Sequence, residues 1–259
     1  MPLATEPAVA RTYTTPVDDP WEYVLQYRET LDYTAANPDR GSTAVSTALD
    51  LPRGRVREWM DGSIPDVVRG LNTAIDNGWF PESLRQPAAR ALNRLVAAVF
   101  ATGSIALENY RPSFVVDDAT RDVVADALAT LGAGHRTVHT DDDRRATELV
   151  PRRDAAVLGR VLAAAGAPVG PKTSHETLRL PTYLDDAPLS IQVDFVELYV
   201  DSRGTELDGK ATTPLLEQRS ESFRRELAAL VSRVTDEPVS VGTNGVYLSA
   251  TAARRLGVR

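Results

Sequence analysis

Three arginines on one short predicted helix are the residues best suited to nucleic-acid chemistry. Arg53, Arg55 and Arg57 alternate along the segment RGRVREWM. A guanidinium pairs well with phosphate oxygens and with the major-groove acceptors of guanine. Arg53 and Arg57, four residues apart, share one helical face, whereas Arg55 points elsewhere. Because Ser42 and Thr43 add small donors nearby, we expect these five residues to contact DNA. A solvated charged face is the alternative.

A second group of basic side chains lies on strand-like segments. Arg111 and Arg136 would face DNA phosphates if both point to the open side of a sheet, which depends on strand parity. The neighbouring Asp141-Asp142-Asp143 could hold a metal, but three adjacent carboxylates seldom converge on one ion, and we interpret them as a solvated turn. His135 and His139 share a strand face without an evident third ligand. The sequence therefore predicts no metal site.

Several kinds of chemistry are excluded or unsupported. The chain has no cysteine, which excludes disulfides, thiolate zinc sites and cysteine nucleophiles. It contains no phosphate-binding loop, nucleophile elbow or dinucleotide-binding fingerprint. We therefore expect no cofactor.

The composition qualifies what the net charge says about a partner. A net charge of −7 argues at first against nucleic acid. However, Lys172 and Lys210 are the only lysines among 29 basic residues. Abundant Arg, Asp and Ala are typical of a GC-rich, salt-loving organism, and we expect a halophilic archaeon, in which an acidic surface keeps protein soluble. No apolar run approaches the roughly 18 residues of a membrane span, and the N-terminus does not resemble a secretory signal. We expect a cytoplasmic protein without a membrane partner.

The sequence of the N-terminal third predicts a tail followed by a helical domain. Residues 1–20 contain four prolines and few large apolar residues, which predicts a flexible tail. Residues 21–85 predict a helical domain. Within it, STAVSTAL (42–49) and RGRVREWM (53–60) flank the tight turn Asp50-Leu51-Pro52. Two short helices around such a turn outline a helix-turn-helix.

The remainder predicts two units of similar element order, residues 86–180 and 181–259. Each opens with an apolar helix that ends at a glycine, Gly103 in the first and Gly204 in the second. The first unit continues with a strand (110–117), a helix (119–131), a hairpin (135–139 and 146–150) and a helix (153–165). The second continues with an extended segment (205–211), a helix (214–234), a hairpin (239–241 and 246–249) and a helix (250–256). The predicted class is α/β of the α+β kind, with a duplicated αββαββα unit.

The two helix ends resemble the paired signature helices of the LAGLIDADG homing endonucleases. The segment Gly170-Pro171-Lys172, followed by Leu180-Pro181, strengthens the resemblance. It implies two helices packed at a pseudo-twofold axis and two curved sheets forming a saddle over DNA. In that family, the acid before the terminal glycine binds the catalytic metal. Here Thr102 and Arg203 occupy these positions, so the resemblance implies lost nuclease chemistry and leaves Arg203 to contact a phosphate.

We therefore expect a sequence-specific protein that binds double-stranded DNA, a transcriptional regulator rather than an enzyme. A bacterial regulator family carries the same pair of modules in the opposite order. A monomer is feasible, since two internal units already make a pseudodimer. One alternative is an active or nicking endonuclease that uses Asp201 or other acids. Another is a protein- or RNA-interaction module on the same scaffold.

Overall fold

Helices and two small antiparallel sheets form a mixed α+β fold. The computed structural model of the chain describes residues 2–140, 145–172, 178–204 and 212–257. Within these residues there are eleven α-helices and seven strands. Most of the buried apolar side chains join into one core that includes residues from Leu3 to Leu256. The predicted α+β class is therefore correct.

The N-terminal part is helical. It comprises α1 (Glu6–Ala10), α2 (Pro20–Ala36), α3 (Ser42–Leu49), α4 (Arg53–Met60) and α5 (Asp66–Asp76). The two short helices α3 and α4 lie at their predicted bounds. Asp50 adopts a left-handed conformation with φ of 54° between them, and the Ser46 hydroxyl donates to the Leu51 carbonyl at 2.6 Å. These contacts fix the turn. Trp59 of α4 packs on the rings of Tyr23 and Tyr27 of α2, and Val45 of α3 is fully buried.

The N-terminal segment corrects the prediction of a flexible tail for residues 1–20. Helix α1 begins at a cap where the Thr5 hydroxyl accepts from the Ala8 amide. Leu3, Val9 and Ala10 are buried. Proline-rich composition hid this, because Pro7 lies in the first turn of α1, where proline suits a helix. The few apolar residues are buried by distant partners rather than by their own segment.

The first α+β unit contains three helices on one face of a four-stranded sheet. Its elements are α6 (Pro87–Ala101), β1 (Ser104–Ile105), β2 (Pro112–Val115), α7 (Arg121–Thr130), β3 (His135–Val138), β4 (Glu148–Pro151) and α8 (Ala155–Ala164). The strand order is β1-β2-β4-β3, all antiparallel. Phe114 and Leu149 pair across β2 and β4 and are fully buried beneath the helices. The residues that alternate with them along β2 and β4 lie on the opposite face of the sheet, which no described helix covers.

The second unit contains α9 (Leu189–Arg203), β5 (Thr212–Leu216), α10 (Glu221–Thr235), β6 (Val239–Gly242), β7 (Gly245–Ser249) and α11 (Ala250–Arg255). Its strand order is β5-β7-β6. In both units, the second strand of the hairpin pairs with the strand that precedes the middle helix. A bridge between Gly204 and Leu215 extends the second sheet toward the end of α9.

The helix predicted over 214–234 begins later than expected. Residues 212–216 form β5, and α10 begins at Glu221, where the Ser220 hydroxyl accepts from the Phe223 amide. Leu215 pairs with Val246 and is fully buried, so strand pairing determines the conformation of this segment. The extended segment predicted at 205–211 lies outside the described residues.

Helices α6 and α9 pack along each other and join the two units. At one end, the buried Asp194 carboxylate accepts from Arg90 at 2.6 and 2.8 Å and from Arg94 at 2.9 Å. Burial alone would raise the pKa of Asp194, but the hydrogen bonds from the two arginines outweigh it and hold that pKa low. Farther along, the rings of Phe100 and Phe195 pack with centroids 5.9 Å apart. Charge pairing and aromatic packing therefore both hold α6 against α9.

Candidate nucleic-acid interface

The free face of α4 carries two of the predicted arginines. Arg53 and Arg57 are exposed, and the Arg57 side chain is 71% accessible. Arg57 forms a loose ion pair with Asp61 at 3.6 Å on the same helix, which constrains it little. Apart from its chain neighbours and the backbone of α4, no described atom lies within 4 Å of where a Gly54 Cβ would be, so this face is open to close approach.

The two hydroxyl donors predicted on α3 differ in solvent exposure. Thr43 is exposed, whereas Ser42 is half-buried in the first turn of the helix. Helix α4 packs on α2 and α3. Arg53, Arg57 and Thr43 therefore remain accessible to a partner, and Ser42 does so only in part.

Arg55 departs from the predicted DNA contact. Its guanidinium lies over the rings of Tyr23 and Trp59, with centroids at 5.1 and 5.8 Å. It also donates to the Gln26 Oε1 atom on α2 at 2.8 Å. Arg55 therefore fixes α4 against α2 through cation–π and hydrogen-bond contacts.

A second basic surface lies on the open face of the first sheet. Arg111 and Arg136 are exposed and line one cleft of about 550 Å³. Arg152 lines it as well, a residue that the sequence did not single out. The cleft also contains Glu148, which accepts a hydrogen bond from Ser113. His139 and Asp154 complete its charged or titratable lining. It is a mixed surface in which arginine predominates.

The second sheet presents a different surface. None of the residues in β5, β6 and β7 is charged. Pro214 and Ser240 both pair with Tyr247, and Leu216 is 54% exposed. The two halves that a saddle would require are therefore unequal, since only the first carries charged residues on its strands.

Thr102 and Arg203 occupy the positions where the resemblance places metal-binding acids. In the structure, both side chains have structural roles. The Thr102 hydroxyl donates to the Val115 carbonyl, and an Arg203 Nη donates to the Leu216 carbonyl. Each bond spans 13 residues and ties a helix end to the last residue of a strand, β2 in the first unit and β5 in the second. A Cβ at Gly103 would lie 2.7 Å from the Ser113 carbonyl oxygen, and one at Gly204 would lie 2.8 Å from that of Val200. Glycine is therefore required at both ends by close backbone approach.

Three cations cap the last turn of α6. Lys172 donates to the Val99 carbonyl at 2.8 Å, Arg219 donates to the Phe100 carbonyl, and Arg203 donates to the Ala101 carbonyl at 3.1 Å. The final carbonyls of a helix have no partner within the helix and carry partial negative charge, which cations satisfy. The phosphate contact predicted for Arg203 is therefore corrected, because carbonyls occupy its guanidinium and its side chain is only 26% exposed.

A buried acid balances these cations. Glu217 is 2% exposed and accepts a hydrogen bond from the Tyr199 hydroxyl. It lies 3.4 Å from Arg219 and 3.8 Å from Arg203. Burial lowers the pKa of Lys172 to about 7, with further lowering by Arg219 and Arg203, although Glu217 opposes the shift. Sequence reasoning missed Glu217, since it follows a strand that was interpreted as helix.

The carboxylates near the helix ends do not assemble a metal site among the described residues. Burial, and then the nearby Asp117 carboxylate, raises the pKa of Asp201. Asp117 is itself engaged, because it accepts from the amides of Ala119 and Thr120. In the described part of the chain, no group of three His, Cys, Asp or Glu side chains is placed to hold an ion. The Asp141-Asp142-Asp143 turn lies outside that part.

No protein-family model matches the chain, and no curated protein shows significant similarity to it. None of the helices in the described ranges has the length and apolar character needed to cross a bilayer.

Proposed function

We propose that the protein binds double-stranded DNA in a sequence-specific manner and acts as a transcriptional regulator. The observation that carries this proposal is the free face of α4, where Arg53 and Arg57 are exposed on a helix whose other side packs on α2 and α3. An eight-residue helix is about 12 Å long and 10–12 Å wide, which suits the major groove of about 12 Å. Thr43 on α3 adds a donor beside it.

The proposal assigns the rest of the chain to a LAGLIDADG-like scaffold. Support comes from the order of elements in the first unit, from the common strand pairing in both sheets, and from the packing of α6 against α9. On this scaffold, Arg111 and Arg136 would contact phosphates from the open face of the first sheet. The two units would act as an internal pseudodimer, so the proposal includes a monomer in the cytoplasm of a halophilic archaeon.

The same proposal includes the loss of nuclease activity. Magnesium-assisted cleavage needs carboxylate oxygens near the scissile phosphate. At the two positions in question, the chain carries a hydroxyl that bonds Val115 and a guanidinium that caps α6. These roles favour a binding protein over the active or nicking endonuclease.

Selection from a random pool of duplexes tests the proposal. The purified protein is expected to enrich one short motif over successive rounds. The enriched duplex is then incubated with the protein and Mg²⁺ or Mn²⁺, and it is expected to stay intact. Enrichment of no motif would overturn sequence-specific binding. Divalent-dependent nicking that disappears in Asp201→Ala would instead support the endonuclease alternative.

A further inference from the structure

Glycine occurs at three positions inside the described helices, and contacts within the molecule explain two of them. The three are Gly54 on α4, Gly70 on α5 and Gly159 on α8. A Cβ at Gly70 would lie 1.8 Å from the Tyr13 hydroxyl, and one at Gly159 would lie 1.7 Å from the Tyr110 carbonyl oxygen. Close approach by another segment of the chain therefore requires glycine on α5 and on α8.

Gly54 differs from the other two because the space beside it is open. Apart from its chain neighbours and the backbone of α4, no described atom lies within 4 Å of where its Cβ would be. The backbone there is helical, so alanine fits without strain, and glycine destabilises a helix relative to alanine. Packing within the described chain therefore does not account for glycine at this position.

The open space lies on the face that α4 turns away from the core. Successive residues of an α-helix are about 100° apart around its axis, which places Gly54 about 200° from the buried Val56 and about 140° from the buried Trp59. Arg57 and Glu58 follow Gly54 by three and four residues, so they are its neighbours on this face, and both are exposed. A partner that contacts these two side chains therefore also covers Gly54.

Carboxylates distinguish this face from one that binds phosphates in general. Glu58 is exposed and forms no ion pair among the described residues, whereas Asp61 lies 3.6 Å from Arg57. A carboxylate repels phosphates, so both acids weaken binding that depends on charge alone. In the major groove, however, a glutamate accepts a hydrogen bond from the N4 amino group of cytosine. The composition of the face therefore favours contact with base edges.

We propose that Gly54 is the point of closest contact between α4 and DNA, and that this contact brings Glu58 to the amino group of a cytosine in the major groove. The inference rests on the proposed function. Because Gly54 has no side chain, the DNA reaches the backbone of α4, and the helix enters the groove deeply enough for Glu58 to meet a base. Gly54 is thus a positioning residue, and Glu58 determines specificity.

Substitution of Gly54 tests the first part, because its effects on stability and on binding have opposite signs. Gly54→Ala is expected to raise the melting temperature by about 1–4 °C. It is also expected to weaken binding of the duplex selected from the random pool by about tenfold, roughly the effect of one lost base contact. Gly54→Leu is expected to weaken binding further, because a longer side chain holds the helix farther from the base edges.

The controls for Gly54 are one identical substitution and one addition of bulk. Gly70→Ala is expected to lower the melting temperature, since the Tyr13 hydroxyl fills the space beside Gly70. Ala229→Leu adds bulk at an exposed position on α10 and is expected to leave DNA binding unchanged.

Substitution of Glu58 tests the second part. Affinities are measured for the selected duplex and for duplexes changed at one base pair at a time. Glu58→Gln is expected to reduce the preference for cytosine at one position by about tenfold and to keep the preferences at the others. Glu221→Gln, which changes an exposed carboxylate on α10, is expected to alter none of them.

The outcomes separate this inference from the proposed function. If the wild-type protein selects no motif, the proposed function fails, and the inference fails with it. If it selects a motif and Gly54→Ala binds that motif as tightly as the wild type does, α4 does not meet DNA at Gly54 and only the inference is overturned. Unchanged base preferences in Glu58→Gln would overturn it as well.

Discussion

At the residue scale, the arginines of α4 show how one residue type takes two roles on one short helix. Arg53 and Arg57 are exposed, whereas Arg55 packs on Tyr23 and Trp59. Helical periodicity predicted that Arg55 would point away from the other two, but it did not show what lies there. Tyr23 and Gln26 come from α2, far earlier in the chain, and local sequence does not reveal that pairing.

Lys172 provides a residue-scale prediction. Its pKa is lowered to about 7 in the folded protein, below the usual lysine value. The unfolded chain therefore binds more protons between about pH 7 and pH 10.5, and stability contributed by this group rises with pH across that window. A difference of one bound proton between the unfolded and folded states changes the free energy of unfolding by at most about 1.4 kcal/mol per pH unit. Denaturant unfolding from about pH 6 to about pH 9.5 is expected to show rising stability above pH 7.

The matched variant is Lys172→Met, which keeps much of the side-chain volume and removes the charge. Its unfolding free energy is expected to rise less steeply above about pH 7 than that of the wild type. An identical pH dependence in both proteins would contradict the assignment of the slope to Lys172. Arg254→Ala, which removes an exposed arginine on α11, serves as the control for a general charge effect.

At the element scale, the helix-end glycines were predictable from sequence and the contacts around them were not. Apolar runs ending at Gly103 and Gly204 predicted α6 and α9 to within a few residues. Their partners are distant, since Lys172 and Arg219 reach the end of α6 from segments 73 and 119 residues away. The 214–220 segment was misread because strand pairing with β7 overrides its local pattern.

The buried carboxylate between α6 and α9 gives the element-scale prediction. Asp194→Asn removes the charge that Arg90 and Arg94 share and leaves the packing volume nearly unchanged. Because both arginines are partly exposed, we expect a loss of about 1–3 kcal/mol in the free energy of unfolding rather than the larger cost of a fully buried pair. Denaturant unfolding of the wild type and of Asp194→Asn at neutral pH measures this loss.

The pH dependence of the same variant is a separate test. The pKa of Asp194 is held low in the folded protein, so its stabilisation is present above the unfolded value and is lost as pH falls through the folded value. Asp194→Asn is expected to lose less stability than the wild type on acidification. Glu221→Gln, which removes an exposed pair with Arg225, is the control and should cost about 0.5 kcal/mol or less. Equal losses of unfolding free energy in Asp194→Asn and Glu221→Gln at neutral pH would contradict a structural role for Asp194.

At the scale of the whole molecule, the sequence predicted the succession of parts but not how they join. The boundary near residue 85 separates the helices from the α+β units in sequence. In the structure, however, Trp79 and the N-terminal segment bury themselves against the first unit. Composition could not reveal this, because a proline-rich segment with few apolar residues gives no periodic signal. The helices of residues 21–85 and the first α+β unit therefore share buried contacts across the boundary that the sequence suggested.

If α4 reads DNA sequence, as proposed, the ratio of the affinities for a selected and a scrambled duplex depends on Arg53 and Arg57. Dissociation constants are measured for the selected duplex and a scrambled duplex at one fixed salt concentration. Arg53→Ala combined with Arg57→Ala is expected to weaken binding of the selected duplex by about 1–3 kcal/mol for each arginine that pairs with a base in bidentate fashion. Scrambled binding should change much less, so the ratio falls, while Arg225→Ala combined with Arg254→Ala leaves it unchanged. An unchanged ratio after the removal of Arg53 and Arg57 would show that α4 does not read the DNA sequence.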